Sequence, residues 1–205
     1  MTTSMCKVIC ITNRALCRED FLTRIERIAQ AQPDAILLRE KDLPEDAYTD
    51  LARRVQAICT ALGVPLYLHS YPQAALALGA AHLHLPLPVL QEMPDAQRLT
   101  LPPFGVSCHS LEDAKKAQAL GASYLIAGHI FATDCKRGLP GRGTAFLRRI
   151  CQSTSLPVYA IGGITPDNVQ DVVQAGAAGV CVMSSLMTCD DPAALIQQLR
   201  GERNP

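Results

Sequence analysis

The sequence predicts an α/β fold, a single-domain (β/α)8 or TIM barrel that spans residues 1–205. Short continuous apolar runs, typical of parallel strands that are buried on both faces, alternate strictly with segments of helical spacing. Eight such pairs in 205 residues fit a barrel near the lower size limit of this fold. No linker, low-complexity segment or block of charge divides the chain. A doubly wound open sheet is the alternative, but eight near-equal units favour closure.

The predicted strands are short runs rich in apolar and β-branched residues: Lys7–Asn13, Ala35–Lys41, Pro65–Ser70, His82–Pro86, Gly105–His109, Tyr124–Ile130, Val158–Ile164 and Gly179–Leu186. The predicted helices have apolar residues at helical spacing: Glu19–Ala31, Pro44–Leu62, a short helix that ends at Gly79, a weak segment around Leu90–Arg98, Leu111–Leu120, Thr144–Ser153, Asp167–Ala175 and Pro192–Arg200. The second helix has proline in its first turn and glycine directly after its end, which are start and stop signals.

The composition argues against several classes of function. Nineteen basic and 19 acidic residues cancel, so there is no electrostatic footprint for nucleic acid or an anionic membrane. No apolar run approaches the roughly 18 residues of a membrane-spanning helix. Nine cysteines, an odd number without C-x-x-C spacing, form neither a disulfide framework nor a zinc pattern. The N-terminal segment lacks a signal-peptide core, and we expect a cytoplasmic protein with no membrane or nucleic-acid partner.

A glycine-rich loop after the sixth predicted strand, residues 128–143, holds the densest set of reactive side chains. It contains His129, Thr133, Cys135 and Lys136 together with two arginines. A loop of this length without secondary structure is usually functional or disordered. An imidazole beside cations indicates an anionic ligand held next to a proton-transfer group. The alternative interpretation is a solvated basic loop.

A phosphate site is predicted at the ends of the seventh and eighth strands. Barrels of this kind carry their active sites at the C-terminal ends of the strands and often bind phosphate with the last two loops. Here those loops contain Gly162, Gly163, Ser184 and Ser185. Glycine lets main-chain N–H groups approach an anion closely, and the serines add hydroxyl donors. The alternative for the glycine pair is a plain turn.

Other polar residues also fall at predicted strand ends. Arg39, Lys41 and Ser107 are candidate ligand contacts, and His69 and His109 could line the pocket. For the two cations, a salt bridge to the neighbouring Glu40 or Asp42 is an equal alternative. His82 and His84 share one strand face as a metal pair would, but no carboxylate accompanies them. A packed, hydrogen-bonded role is therefore favoured for these two histidines.

Five motifs in this order resemble those of thiamine-phosphate synthases and their relatives. They are LLREK at 37–41, GVSCHS at 105–110, GHIFATDCKRGLPGRG at 128–143, AIGGITPDN at 160–168 and VMSSL at 182–186. The resemblance covers nearly the whole chain. Within this superfamily the chain is most similar to the thiazole tautomerase, or TenI-type, branch, because those proteins share the histidine of the long loop where synthases typically carry proline.

The differences from the synthase pattern also favour the tautomerase branch. Synthases hold a magnesium pyrophosphate through an Asn-Asp pair after the third strand and an Asp after the fourth. The corresponding positions here are His69, Ser70 and Val89. Magnesium requires oxygen ligands, which this set offers poorly. The resemblance therefore implies a protein without a metal site or other cofactor.

The implied reaction is a thiazole tautomerisation that yields an aromatic carboxythiazole phosphate. The resemblance gives His129 the role of proton shuttle, with Cys135 ranked second. It assigns the substrate carboxylate to Lys136 and Thr133, and the phosphate to the glycine and serine pairs. The expected partner is thus a small phosphorylated thiazole, with homo-oligomerisation left open. Two alternatives remain: thiamine-phosphate synthase, which is a transferase, and a non-catalytic protein that binds a thiazole phosphate.

Overall fold

Eight parallel strands close into a barrel in which each strand pairs with its neighbours in chain order. The computed structural model describes residues 6–133 and 138–201. The strands are β1 (Lys7–Ile11), β2 (Ala35–Leu38), β3 (Leu66–His69), β4 (His82–Pro86), β5 (Phe104–Cys108), β6 (Tyr124–Gly128), β7 (Val158–Ile161) and β8 (Gly179–Val182). The pairing of β1 with β8 completes the barrel. The predicted (β/α)8 fold is confirmed.

Helices connect the strands across the outside of the barrel. In the described part of the chain they are α1 (Phe21–Gln30), α2 (Glu45–Leu62), α3 (Pro72–Ala77), α4 (Leu87–Glu92), α5 (Asp95–Arg98), α6 (Leu111–Ala119), α7 (Gly143–Ser153), α8 (Val169–Gln174), α9 (Ser184–Thr188) and α10 (Pro192–Arg200). A 3-10 helix, Arg14–Leu16, follows β1. No helix within these described ranges has both the length and the apolar character needed to cross a membrane.

Six of the predicted strands end one to three residues earlier in the structure, and two predicted elements differ more. The eighth strand was expected to reach Leu186, but it ends at Val182, where its ladder with β1 also ends. The chain then enters α9, which begins at Ser184. The single weak helix predicted around 90–98 is two short helices, because Met93 precedes Pro94 and adopts an extended ψ of 128°. Proline disfavours the helical conformation at the residue before it.

The side chains divide into two layers because alternate residues of a strand point to opposite faces. The outward residues and the inner faces of the helices form the larger apolar core. The inward residues fill the barrel and form a second cluster: Ile9, Ile11, Ala35, Leu37, Tyr124, Ile126, Tyr159 and Cys181. Gly105 makes room within this interior, since a Cβ there would lie 2.1 Å from the Tyr124 ring. A packed interior of this kind leaves ligands only the two ends of the barrel.

One buried tyrosine connects helix α2 to the C-terminal ends of two strands. The Tyr48 hydroxyl donates to the Leu38 carbonyl at 2.7 Å and accepts from the His69 main-chain N–H at 2.9 Å. Its side chain is fully buried. The hydroxyl therefore satisfies two main-chain groups where β2 and β3 stop pairing, and it fixes the residues that follow both strands.

Replacing this hydroxyl should destabilise the fold measurably. Tyr48→Phe leaves a carbonyl and an N–H group buried without their partner, which costs about 1–3 kcal/mol for each unsatisfied group. We expect a lower free energy of unfolding in urea denaturation. Tyr71→Phe is the matched control, because the half-buried Tyr71 hydroxyl bonds only the Leu43 carbonyl. Equal losses in the two variants would contradict the bridging role of Tyr48.

Candidate active site at the barrel mouth

The C-terminal ends of the strands form the mouth of the barrel, and most predicted site residues lie there. Strand ends or the loops directly after them carry Arg39, Lys41, Ser107, His129, Thr133, Gly162, Gly163, Ser184 and Ser185. Two predicted contacts, Cys135 and Lys136, lie outside the described residues. The tertiary structure thus collects residues from five strand ends on one side of the molecule, as expected for an active site of this fold.

A buried polar network lies just inside the mouth. The His84 Nδ1 atom is 3.2 Å from the Tyr124 hydroxyl, and its Nε2 atom is 2.8 Å from the Ser107 hydroxyl. Its ring stacks on that of His69 with the centroids 5.7 Å apart. Below them His82 stacks on Tyr67 at 4.3 Å. The packed, hydrogen-bonded role expected for His84 is confirmed.

The hydrogen-bond partners determine which atoms of this network carry protons. Burial raises the pKa of Tyr124 well above its usual value, so its hydroxyl stays protonated. Within residues 6–133 and 138–201 that hydroxyl has no acceptor other than His84. It therefore donates to Nδ1, and neutral His84 donates from Nε2 to Ser107. The Ser107 hydroxyl proton then points away from His84. It remains available to a ligand, which is compatible with the prediction that Ser107 is a ligand contact.

Both histidines of the stacked pair are neutral. Burial lowers the pKa of His84 to about 3, and the positive charge of Arg39 acts in the same direction. Burial lowers the pKa of His69 to about 2, with further contributions from His84, Arg39 and Lys41. A neutral imidazole carries one N–H group, which can donate a hydrogen bond to an anionic ligand.

Both carboxylates that neighbour Arg39 and Lys41 in the sequence contact a third cation. Arg14 takes both: its Nε lies 3.7 Å from Glu40, and its Nη2 contacts Asp42. Buried Glu40 also accepts from the Thr12 hydroxyl at 2.7 Å. Sequence analysis missed Arg14, because it lies 26 residues from Glu40 and 28 residues from Asp42 in the chain.

An open cavity of about 260 Å³ lies at the ends of β2 and β3. Its lining residues are Glu40, Lys41, His69, Ser70 and Tyr71. Ser70 has a φ of 68°, in the left-handed region that only glycine, asparagine and aspartate adopt readily. This conformation is held by the Ser70 N–H, which donates to the His84 carbonyl at 3.0 Å. The Ser70 hydroxyl is thereby placed 2.6 Å from the His69 Nδ1 atom.

The long loop after β6 continues the sheet beside β7. The Ile130 N–H donates to the Ile161 carbonyl, and the Phe131 N–H donates to the Gly162 carbonyl. At Gly163 the φ is 64°, and a Cβ would lie 2.3 Å from the Ala132 carbonyl oxygen. The glycine pair is therefore required by the packing of this loop. A substitution there would disturb the loop as well as any bound phosphate.

His129 is half-buried at the start of this loop. Its Nε2 atom donates to the Pro140 carbonyl at 3.0 Å and so connects the two ends of the loop. His109 reaches the same place from β5, where its Nδ1 atom donates to the Gly128 carbonyl at 3.1 Å. The observed contacts of His129 brace the loop.

Free main-chain donors lie at the ends of β7 and β8. Within the described ranges the N–H groups of Gly163, Ser184 and Ser185 donate to no protein acceptor. The register of the two strands brings these groups to the same level of the barrel, since Ile161 pairs with Cys181. Three donors without protein partners can coordinate the oxygens of a phosphate group.

A buried arginine fixes the short helix α9 that carries the serine pair. Arg24 is only 2% exposed. It donates to the Leu186 carbonyl at 3.0 Å and to the Cys189 carbonyl at 2.5 Å. Glu19 balances its charge at 3.1 Å. The guanidinium thus satisfies the C-terminal carbonyls of α9 and holds its N-terminus at the mouth.

The residues after β3 and β4 do not fit a magnesium ion. The side chains at the expected ligand positions are a neutral imidazole, a hydroxyl and the aliphatic Val89, which is 39% exposed on α4. The carboxylate of Glu40, which lines the cavity, accepts hydrogen bonds from Thr12 and the main chain of Arg14. Among the described residues no three His, Cys, Asp or Glu side chains form a group suited to a metal. Magnesium prefers several oxygen ligands in octahedral geometry.

The chain belongs to the thiamine monophosphate synthase family, whose pattern it matches over residues 8–186. It is 34% identical to thiamine-phosphate synthase 2 of Streptococcus pneumoniae, over 87% of this chain and 86% of that protein. It is 39% identical to thiamine-phosphate synthase of Methanoregula boonei, over 82% and 78% of the two chains.

Solved structures agree with this assignment. Thiamine phosphate pyrophosphorylase from Pyrococcus furiosus superposes with a TM-score of 0.82 at 28% identity, over 96% of this chain and 94% of that one. A 3-hexulose-6-phosphate synthase superposes with a TM-score of 0.67 at 17% identity, over 97% of this chain and all of that one. The second similarity is one of fold alone.

The expected thiazole tautomerase activity is contradicted by these relatives. Proteins 34% and 39% identical to this chain are named thiamine-phosphate synthases, which are transferases and not isomerases. The histidine of the long loop, on which the assignment to the tautomerase branch relied, makes a bracing contact that requires no proton transfer. Membership of the wider superfamily is confirmed, whereas the assignment to the tautomerase branch was wrong.

The neutral histidine pair should make the fold sensitive to acid. A folded pKa of about 3 for His84 lies below the ordinary value of about 6.5. The unfolded chain therefore binds more protons as the pH falls below about 6.5, and the free energy of unfolding decreases, by up to roughly 1.4 kcal/mol per pH unit for one histidine. Above that pH this contribution to the pH dependence vanishes.

This sensitivity can be measured by urea denaturation between pH 7 and pH 4. We expect His84→Gln to have a shallower dependence of the unfolding free energy on pH than the parent. His109→Gln, which replaces an exposed imidazole, is the control and should retain the parental slope. Identical slopes for all three proteins would show that His84 is not held neutral.

Proposed function

We propose that this chain is a transferase of the thiamine-phosphate synthase type, which joins a pyrimidine pyrophosphate to a thiazole phosphate. The observation that carries the proposal is the family membership, with relatives of that name over more than four fifths of the chain. The mouth of the barrel supports it with two separate groups of anion-binding residues. Such a pair suits a reaction in which both substrates carry phosphate.

The first group would hold the thiazole phosphate. It consists of the unpaired N–H groups of Gly163, Ser184 and Ser185 and the two serine hydroxyls. Binding the phosphate at a fixed point orients the ring toward the centre of the mouth, where the Ser107 hydroxyl is available. Orientation of this kind lowers the entropic part of the barrier to coupling.

The second group would hold the pyrophosphate of the other substrate. When the bond between the two rings forms, the bond to pyrophosphate breaks, and negative charge grows on the departing oxygen. Lys41 lines the cavity at the ends of β2 and β3, and Arg39 directly follows β2. Fixed cations stabilise developing negative charge strongly in a site that excludes water.

A second candidate is a protein that binds a thiazole phosphate without catalysis. The observation that favours it is the set of residues after β3 and β4. Where synthases typically carry an Asn-Asp pair and a further Asp, this chain has His69, Ser70 and Val89. This candidate requires only the first group of residues.

A coupling assay separates the two candidates. The purified protein is incubated with hydroxymethylpyrimidine pyrophosphate and thiazole phosphate, once with magnesium and once with EDTA, and thiamine phosphate is measured by mass spectrometry. We expect multiple turnovers in at least one condition. Binding of the thiazole phosphate in calorimetry without any product would contradict the transferase and support the second candidate.

We expect α9 to bind the phosphate group of the thiazole. Ser185→Ala removes one hydroxyl donor, and the loss of a hydrogen bond to a charged group is expected to weaken binding of the thiazole phosphate roughly tenfold. Affinity for the unphosphorylated thiazole alcohol should stay the same. Ser155→Ala, at the opposite end of the barrel, is the control. An equal loss for both ligands would place the phosphate elsewhere.

A further inference from the structure

Asn168 ends the motif at 160–168 and makes two side-chain hydrogen bonds within its own loop. Its Nδ2 atom donates to the Gly163 carbonyl at 2.9 Å, and its Oδ1 atom accepts from the Thr165 N–H at 2.9 Å. These partners also fix the orientation of the amide, because a carbonyl requires a donor and an N–H group requires an acceptor. Asn168 therefore connects the loop after β7 to the start of α8.

The peptide group between Gly163 and Ile164 is oriented by this contact. In a trans peptide the carbonyl and the N–H point in opposite directions. Because Asn168 holds the Gly163 carbonyl on one side, the Ile164 N–H points to the other. Glycine by itself would allow this peptide group to rotate, since it has no Cβ and its φ here is 64°. The Asn168 side chain thus selects one of two opposite orientations.

The Ile164 N–H donates to no protein acceptor within residues 6–133 and 138–201. Ile164 is only 6% exposed, and a main-chain donor without a partner is uncommon at so buried a residue. This group directly follows the Gly163 N–H, which also has no acceptor in those ranges. An anion can satisfy two successive unpaired donors of this kind.

We propose that Asn168 is a positioning residue for the phosphate of the thiazole substrate, and that it presents the Ile164 N–H as an additional donor to this phosphate. The proposal rests on the proposed function, in which the phosphate binds beside Gly163. In the opposite orientation of the peptide group, the Gly163 carbonyl oxygen would take the place of the N–H. Its partial negative charge would repel the anion. Asn168 acts through the main chain and needs no contact with the substrate.

The amide proton of Ile164 tests this contact directly. In proton–nitrogen correlation spectra of the full chain, titration with inorganic phosphate should move the Gly163 and Ile164 amide protons downfield, because both would donate to the anion. In Asn168→Ala the Ile164 shift should be lost. Gln170→Ala, which removes an exposed carboxamide from α8 without a change of charge, is the matched control and should respond as the parent does. An Ile164 signal that does not respond in the parent would overturn the proposal.

Affinity for the thiazole phosphate measures the size of the effect. Asn168→Ala should weaken its binding about two- to tenfold, which corresponds to one ordinary hydrogen bond. Binding of the unphosphorylated thiazole alcohol should be unchanged. Asn168→Ser suits the start of a helix and should show the same loss, because its hydroxyl is too close to the main chain to reach Gly163. Equal losses for both thiazoles would indicate a general effect on the loop and overturn the positioning role.

The coupling assay adds a kinetic measurement. In both Asn168 variants the KM for thiazole phosphate should rise, while the KM for the pyrimidine pyrophosphate stays the same. A rise in both KM values would contradict a role confined to the phosphate of the thiazole.

The outcomes separate this inference from the proposed function. A melting temperature identifies any variant that fails to fold, and the other substitution at Asn168 then decides. Absence of thiamine phosphate in the coupling assay would overturn the transferase, yet the response of Ile164 to phosphate would still be measurable. Coupling together with parental affinity of both Asn168 variants would overturn only the inference.

Discussion

Closure of the parallel barrel is the constraint on which the rest of the structure depends. It turns every second side chain of eight strands into a closed interior, where a polar group without a partner is costly. Most inward positions are apolar, but the strands β3 to β6 bring histidine, serine and tyrosine inside. Among them His84, Tyr124 and Ser107 form a hydrogen-bonded network that ends at the mouth. The barrel therefore delivers an oriented hydroxyl, Ser107, to the site.

An arginine arranges each side of the candidate site. On one side, buried Arg24 satisfies the carbonyls at the end of α9 and so holds this short helix in place. The N–H groups of Ser184 and Ser185 have no acceptor within the described residues, because the first turn of a helix offers none. On the other side, Arg14 contacts both Glu40 and Asp42.

The chain shares the fold of its family but differs from it at residues of the candidate site. The whole chain resembles thiamine-phosphate synthases in sequence and in structure. The residues after β3 and β4 nevertheless offer nitrogen and hydroxyl groups. A neutral imidazole is compatible with neighbouring cations, whereas a protonated one would repel them. Burial keeps the imidazole of His69 neutral and so makes histidine compatible with this position.

The sequence by itself determined the fold and the end of the barrel that carries the site. Short apolar runs alternating with helical segments require eight parallel strands, and this pattern is local, so it can be read without coordinates. The positions of Gly163, Ser184 and Ser185 followed from it. The exact strand ends did not, because apolar runs such as the one before Leu186 continue after the partner strand has stopped.

Only the tertiary structure decided how the polar groups are paired. Glu40 joins Thr12 across 28 residues, and His84 joins Tyr124 across 40. No local periodicity encodes such distances. His129 illustrates the same limit, since only the tertiary structure showed that its ring bonds the Pro140 carbonyl across the loop. A side chain's chemistry depends on its neighbours in space, and closure of the barrel chooses those neighbours.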